Sequence, residues 1–154
     1  MKNIDLFRLK EGLNDVSNLK GVKFAYAVLK NKKIVEDEIA LLQKSVEMSV
    51  EFQEYEKSRI TLCEQFADKD SEGKPIINNN QYQIENKVEF NEVVEKLKKD
   101  NIKCIEERVK QLNDYDILLQ EENDIEEKLS KVKEEYLPSD ITANQLQTII
   151  EMVD

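Results

Sequence analysis

Residues 88–134 read VEFNEVVEKLKKDNIKCIEERVKQLNDYDILLQEENDIEEKLSKVKE, with no glycine and no proline. Apolar side chains recur along this stretch at Val94, Leu97, Ile102, Ile105, Val109, Leu112, Tyr115, Leu119, Ile125, Leu129 and Val132. Most of the steps are of three or four residues, and although Glu122 and Asn123 interrupt the stripe, the spacing predicts one long helix over 87–134. At 1.5 Å per residue such a helix would span roughly 70 Å, too long for a compact domain of this mass. It needs a second helix lying against it.

The segments around this stretch supply that helix. Asn86-Lys87-Val88-Glu89 has the capping-box spacing that starts a helix. Before it, Pro75-Ile76-Ile77 and Gln81-Tyr82-Gln83-Ile84 are short β-capable runs separated by Asn78-Asn79-Asn80, a tip suited to positive φ. Residues 68–86 are therefore expected to form a polar turn and a small β-hairpin. Upstream, Phe24, Val28, Val35, Ile39, Leu42 and Val46, then Phe52, Tyr55, Leu62 and Phe66, predict helices over 22–67, with Ser49 placed as an N-cap. This region is expected to fold back on the long helix as an antiparallel pair. Leu6, Leu9, Leu13 and Val16 mark a short helix over 5–18. Gly12 and Gly21 read as helix breakers. Pro138 is expected to stop the long helix, and Thr142-Ala143-Asn144-Gln145 to cap a last helix over 142–153. The expected fold is mainly all-α: a single elongated domain over 1–154, an antiparallel helical hairpin or coiled-coil pair with a small β-hairpin near 75–85 and short flanking helices.

The cysteines follow from that register. Cys63 lies near the end of its helix and Cys104 about a dozen residues out of step with it, or about 18 Å along the axis. A bridge tolerates a Cα separation of only about 7 Å, so two free thiols are expected.

Composition narrows the chemistry. The chain has 154 residues, 23 Lys and Arg against 33 Asp and Glu, and a net charge of −10. It contains no histidine and no tryptophan, which removes Ser-His-Asp and Cys-His couples, the histidine general base and the commonest zinc ligand. Its three glycines, Gly12, Gly21 and Gly73, are too scattered for a phosphate-cradling loop. No run of 18 apolar residues is present, and the start MKNIDLFRLKEG lacks the apolar core of a signal peptide, so a cytoplasmic protein is expected. Asp68-x-Asp70-x-Glu72-Gly73 has the first half of a calcium-loop pattern, but Pro75 and Asn79 fill the eighth and twelfth positions, and a polar turn is the expected reading. The acidic pairs along 106–135 read as solvated helix faces, because neighbouring residues on a helix point in different directions. No catalytic, cofactor or metal site is expected, and the chain reads as non-enzymatic.

The charge is unevenly distributed. Residues 1–33 hold eight Lys and Arg against three Asp and Glu, which leaves −15 on the remainder. Lys30, Lys32 and Lys33 on one side, and Glu121, Glu122, Glu126 and Glu127 on the other, are the candidate partner-binding residues. Arg59, a cation on the stripe of Tyr55 and Leu62, joins them as a candidate anchor for an acidic partner.

Gly21-Val22-Lys23-Phe24-Ala25-Tyr26-Ala27-Val28 with Lys30-Asn31, Phe52-x-x-Tyr55-Glu56-x-x-Arg59, the turn Ala67 to Pro75 leading to Asn80-x-Tyr82-x-Ile84, and Leu137-Pro138 together resemble a group of small, mostly helical proteins encoded by bacteriophages. That resemblance implies a phage origin, a place in the host cytoplasm or in association with the virion, and no assigned activity. The helices flanking a β-hairpin around 50–134 are also similar in architecture to prefoldin-type subunits. Two functions are expected from these features. The first is a phage-type protein-protein interaction or assembly protein that binds itself or another phage or host protein. The alternative is an acidic inhibitor that occupies the basic groove of a host nucleic-acid-handling or defence protein. Neither requires a membrane, and an acidic chain is not expected to bind nucleic acid directly.

Overall fold

The computed structural model describes residues 1–154. It is mainly α-helical, with one small two-stranded antiparallel sheet. The helices are α1 (Asp5–Asp15), α2 (Val22–Ser45), α3 (Val50–Phe66), α4 (Lys87–Asp100), α5 (Ile102–Gln120), α6 (Ile125–Lys128) and α7 (Ala143–Thr148), and the strands are β1 (Ile77–Asn78) and β2 (Gln81–Tyr82). The chain divides into two compact units, residues 48–112 and a first unit assembled from residues 1–47 and 113–154. α5 begins in the second unit and ends in the first.

The first unit contains most of the buried apolar side chains. Leu6, Leu9, Leu13 and Val16 of the α1 stripe are fully buried, and α2 adds Phe24, Ala27, Val28, Val35, Ile39 and Leu42. Ile125, Leu129, Val132, Ile149 and Met152 complete this cluster. Each fully buried side chain of this size stabilises by about 1.5–3 kcal/mol, and this core explains why α1 and α2 pack together. α2 pairs mainly with α1, and it meets the stretch expected as the long helix at α6.

The long helix expected over 87–134 is interrupted twice. At Asn101 the side-chain amide donates to the Leu97 carbonyl at 2.9 Å, and the Asn101 N–H is shared between the Leu97 and Lys98 carbonyls. Asparagine offers the backbone an alternative partner in this way, and α4 ends there. The second break has a remote cause. The N–H groups of Asn3 and Ile4 donate to the carbonyls of Glu121 and Leu119, the Asn3 amide donates to the Leu118 carbonyl at 2.8 Å, and the Asn123 N–H donates to the Met1 carbonyl. The carbonyls at the end of α5 are thus satisfied by the segment leading into α1 instead of by a further helical turn. The Asn123 amide donates to Asn3 Oδ1, and Asn123 Oδ1 accepts from the Ile125 N–H, which starts α6 on a new course.

Beyond Lys128 the chain stays out of the helix because its backbone is used elsewhere. Asn31, fully buried on α2, holds both polar groups of the Ser130 peptide, donating to its carbonyl at 3.0 Å and accepting from its N–H at 2.7 Å. Val132 pairs in parallel with Val153, donating to the Met152 carbonyl and accepting from the Asp154 N–H. Pro138 follows a short 3-10 turn at Glu134–Tyr136 and so does not terminate the long helix. The expected last helix is α7 followed by a second 3-10 turn, and Thr142 and Gln145 form the reciprocal capping box expected of them.

Of the two expected breakers, Gly21 stands at the N-cap of α2 with φ 130°. Gly12 lies inside α1, where a Cβ would meet Thr148 atoms of α7 at 2.6 Å and the Thr148 carbonyl oxygen at 2.8 Å. Its role is close approach of two helices, not helix termination.

In the second unit α3 runs antiparallel to α4. Ser49 caps α3 by accepting from the Phe52 N–H. Phe66 lies against Phe90 with ring centroids 5.7 Å apart, and the Arg108 guanidinium sits 5.8 Å from the Phe52 ring centre. The hairpin pairs Ile77 with Tyr82 and Asn78 with Gln81, so the tip is Asn79-Asn80, at φ 50° and 60°. Two left-handed residues in succession give the primed turn that matches strand twist. Asn86 caps α4 through the Glu89 N–H, while the Glu89 carboxylate accepts from the Asn86 side chain and not from its backbone. The acidic turn is held by its own backbone. Asp70 Oδ1 accepts from the N–H groups of Glu72 and Lys74, and Gly73 takes φ 79°.

Candidate interaction surface

The charged residues singled out by the sequence fall into place unequally. Lys30 and Lys33 are exposed on α2 and Lys32 is half-buried, while Glu121, Glu122, Glu126 and Glu127 are exposed around the α5–α6 junction. All seven belong to the first unit. The basic start and the acidic stretch are therefore parts of one folded body. That unit holds 12 Lys and Arg against 19 Asp and Glu, and the second holds 11 against 14, so neither unit is basic overall. At the junction Lys128 binds Asp124 at 2.7 Å, a hydrogen bond that lowers the Asp124 pKa from its ordinary value and raises that of Lys128.

Arg59 stands apart, in the second unit on α3. Its Nε and one terminal nitrogen donate to the two carboxylate oxygens of Glu56 at 3.0 and 2.9 Å. This hydrogen bond holds the Glu56 carboxyl below the usual carboxylate range and raises the guanidinium further. The bidentate fork that would recognise an acidic partner is already occupied one helical turn away.

The surface that the sequence did not mark lies between α3 and α4. Tyr55, Ala67 and Cys104 are the only buried apolar residues of the second unit, and α4 contributes none. Val50, Ile60, Val88, Ile102 and Val109 are exposed, and Phe52, Phe66, Phe90, Val93, Val94, Leu97 and Ile105 are only half-covered. An open groove of about 740 Å³ runs between α3 and α4. Leu62, Val93 and Leu97 supply its apolar lining, with Glu54 and Lys57 on the α3 wall and Lys96 and Asp100 on the α4 wall. In sequence Leu62 and Leu97 belong to the apolar stripes of their helices, while the charged and polar residues beside them gave no sign of a groove. Only the antiparallel placement of α3 on α4 brings the two stripes to one groove.

The groove combines a short apolar strip with one acid and one base on each wall. No group of three or more Asp, Glu or Cys stands close enough together to hold a metal ion. Cys63 is half-buried on α3, and Cys104 is buried on α5 with its thiol donating to the Asn101 carbonyl. No helix is long and apolar enough to cross a membrane. No family model, curated protein or solved structure matches the chain.

Proposed function

We propose that the protein is a non-enzymatic interaction protein that works as an assembly of its own copies, with the α3–α4 hairpin of the second unit as the contact surface. The observation that carries this reading is the surface left uncovered. The chain exposes 10796 Å², whereas two separate compact bodies of these sizes would together expose about 9,700 Å². The surplus, about 1,100 Å², matches the roughly 800 Å² that each partner buries in a stable interface. The second unit buries only Tyr55, Ala67 and Cys104 among its apolar residues and leaves Leu62, Val93 and Leu97 partly uncovered along the groove, and apolar surface left in water in this way marks an interaction surface.

Sedimentation equilibrium of the full chain between about 1 and 100 µM tests this, because interfaces of that size commonly reach micromolar affinity or better. The expected result is a mass that rises above the 18.0 kDa of one chain as concentration increases. A mass of one chain throughout overturns the reading.

A further inference from the structure

We propose that the groove between α3 and α4 is a two-fold interface, filled by the same groove of a second copy. This rests on the self-assembly reading and goes further by naming the face, the symmetry and the pairs. Glu54, Lys57, Leu62, Val93, Leu97 and Asp100 all line the groove; Val93, Leu97 and Asp100 share one side of α4, whereas Lys57 and Leu62 stand at the two edges of the α3 wall. The contacts of Phe66 with Phe90 and of Arg108 with Phe52 fix the antiparallel register. That register sets Lys57 level with Asp100, and Leu62 level with Leu97, on opposite walls.

Neither Lys57 nor Asp100 makes an ion pair within the chain. A two-fold axis running along the groove lays α3 of one copy on α4 of the other. Lys57 then meets Asp100 of the second copy, and Leu62 meets Leu97 of the second copy, each twice by symmetry. The product is a four-helix bundle with antiparallel neighbours, a packing that buries apolar stripes of this kind.

Charge selects a second copy over another occupant. Each wall carries one acid and one base, Glu54 with Lys57 and Lys96 with Asp100, so the groove is neutral although the chain carries −10. A uniformly acidic or basic partner helix would meet its own sign on both walls, whereas the two-fold sets Lys57 of each copy against Asp100 of the other.

The test uses Lys57→Glu and Asp100→Lys in the full chain, with helix content checked by circular dichroism. Each variant alone places like charges opposite one another twice and is expected to dimerise at least about tenfold more weakly than the wild type. An equimolar mixture pairs Glu with Lys and Asp with Lys, and is expected to restore the wild-type dissociation constant to within about threefold. Single variants that associate like the wild type place the contact elsewhere, overturning the groove while leaving self-assembly standing. A mixture that is not rescued, or an assembly larger than a dimer, also overturns the two-fold interface. A wild type that stays monomeric overturns both readings.

Discussion

Replacing Asn31 with leucine is expected to destabilise the first unit by about 2–5 kcal/mol, although leucine is the better helix former and has the same branched outline of heavy atoms. Asn31 is fully buried, and its amide is the partner of both the N–H and the carbonyl of Ser130. Leucine would leave those two groups unpaired in a part-buried position, at about 1–3 kcal/mol each. The same contact holds the chain after α6 in the extended course that lets Val132 pair with Val153. Urea unfolding of the full chain measures the loss. Ser130→Ala is the control, because Asn31 holds the backbone of Ser130 and not its hydroxyl. It is expected to stay within about 0.5 kcal/mol of the wild type. Equal losses in the two variants would show that the amide grip on the peptide is not what stabilises this region.

The second large effect has the opposite sign to the one helix propensity gives. Alanine in place of a glycine inside a helix usually gains about 1 kcal/mol. At position 12 the added Cβ would lie 2.6 Å from Thr148 Cβ and Oγ1 and 2.8 Å from the Thr148 carbonyl oxygen. A side chain can rotate away, but the carbonyl belongs to the end of α7, so α1 and α7 must separate. Gly12→Ala is therefore expected to lose about 1–3 kcal/mol in thermal or urea unfolding, the usual cost of overpacking. Gly73→Ala is the comparison. It also costs, because φ is 79°, but nothing lies within 4 Å of its Cβ, so its loss comes from the backbone alone and is expected to stay near 1 kcal/mol. A Gly12→Ala variant as stable as the wild type would mean that α7 does not pack on α1 as closely as described.

These two positions also show what the sequence could reveal and what it could not. Local periodicity was legible. Leu6, Leu9, Leu13 and Val16 are spaced for one helix face and are all fully buried on it, and Ser49 and Thr142 cap the helices they precede. The asparagine tip adopts the positive φ angles its composition allows, one residue further along than the strand runs suggested. The contacts hidden from sequence are those between segments more than a hundred residues apart. Glu122 and Asn123 interrupt the apolar stripe of the long helix, but nothing near them announces that the carbonyls of Leu119 and Glu121 belong to Ile4 and Asn3, so the interruption did not read as the end of the helix. Gly12 looked like a breaker because its neighbour, Thr148, lies at the other end of the chain.

The candidate surface was legible in the same partial way. Charge runs were visible, and they led to Lys30, Lys32, Lys33 and the glutamates around the α5–α6 junction, which all belong to a single compact unit. Arg59 attracted notice as a cation on an apolar stripe, but its partner is Glu56, three residues away on the same helix. The groove went unmarked because each of its walls, read alone, is an ordinary mixed helix side. Its distinguishing property is the pairing of the walls, with an acid and a base at one level and leucines at the next, which exists only once α3 and α4 are antiparallel.

Hydrogen exchange at two protein concentrations, one below and one above the onset of association, tests the central claim most directly. Amides of α3 and α4 are expected to exchange at least about tenfold more slowly at the higher concentration, because a second copy covers them, while those of α1 and α2 keep their rates. Exchange of α3 and α4 that does not depend on concentration, or protection that appears on α2 and the α5–α6 junction instead, would contradict it.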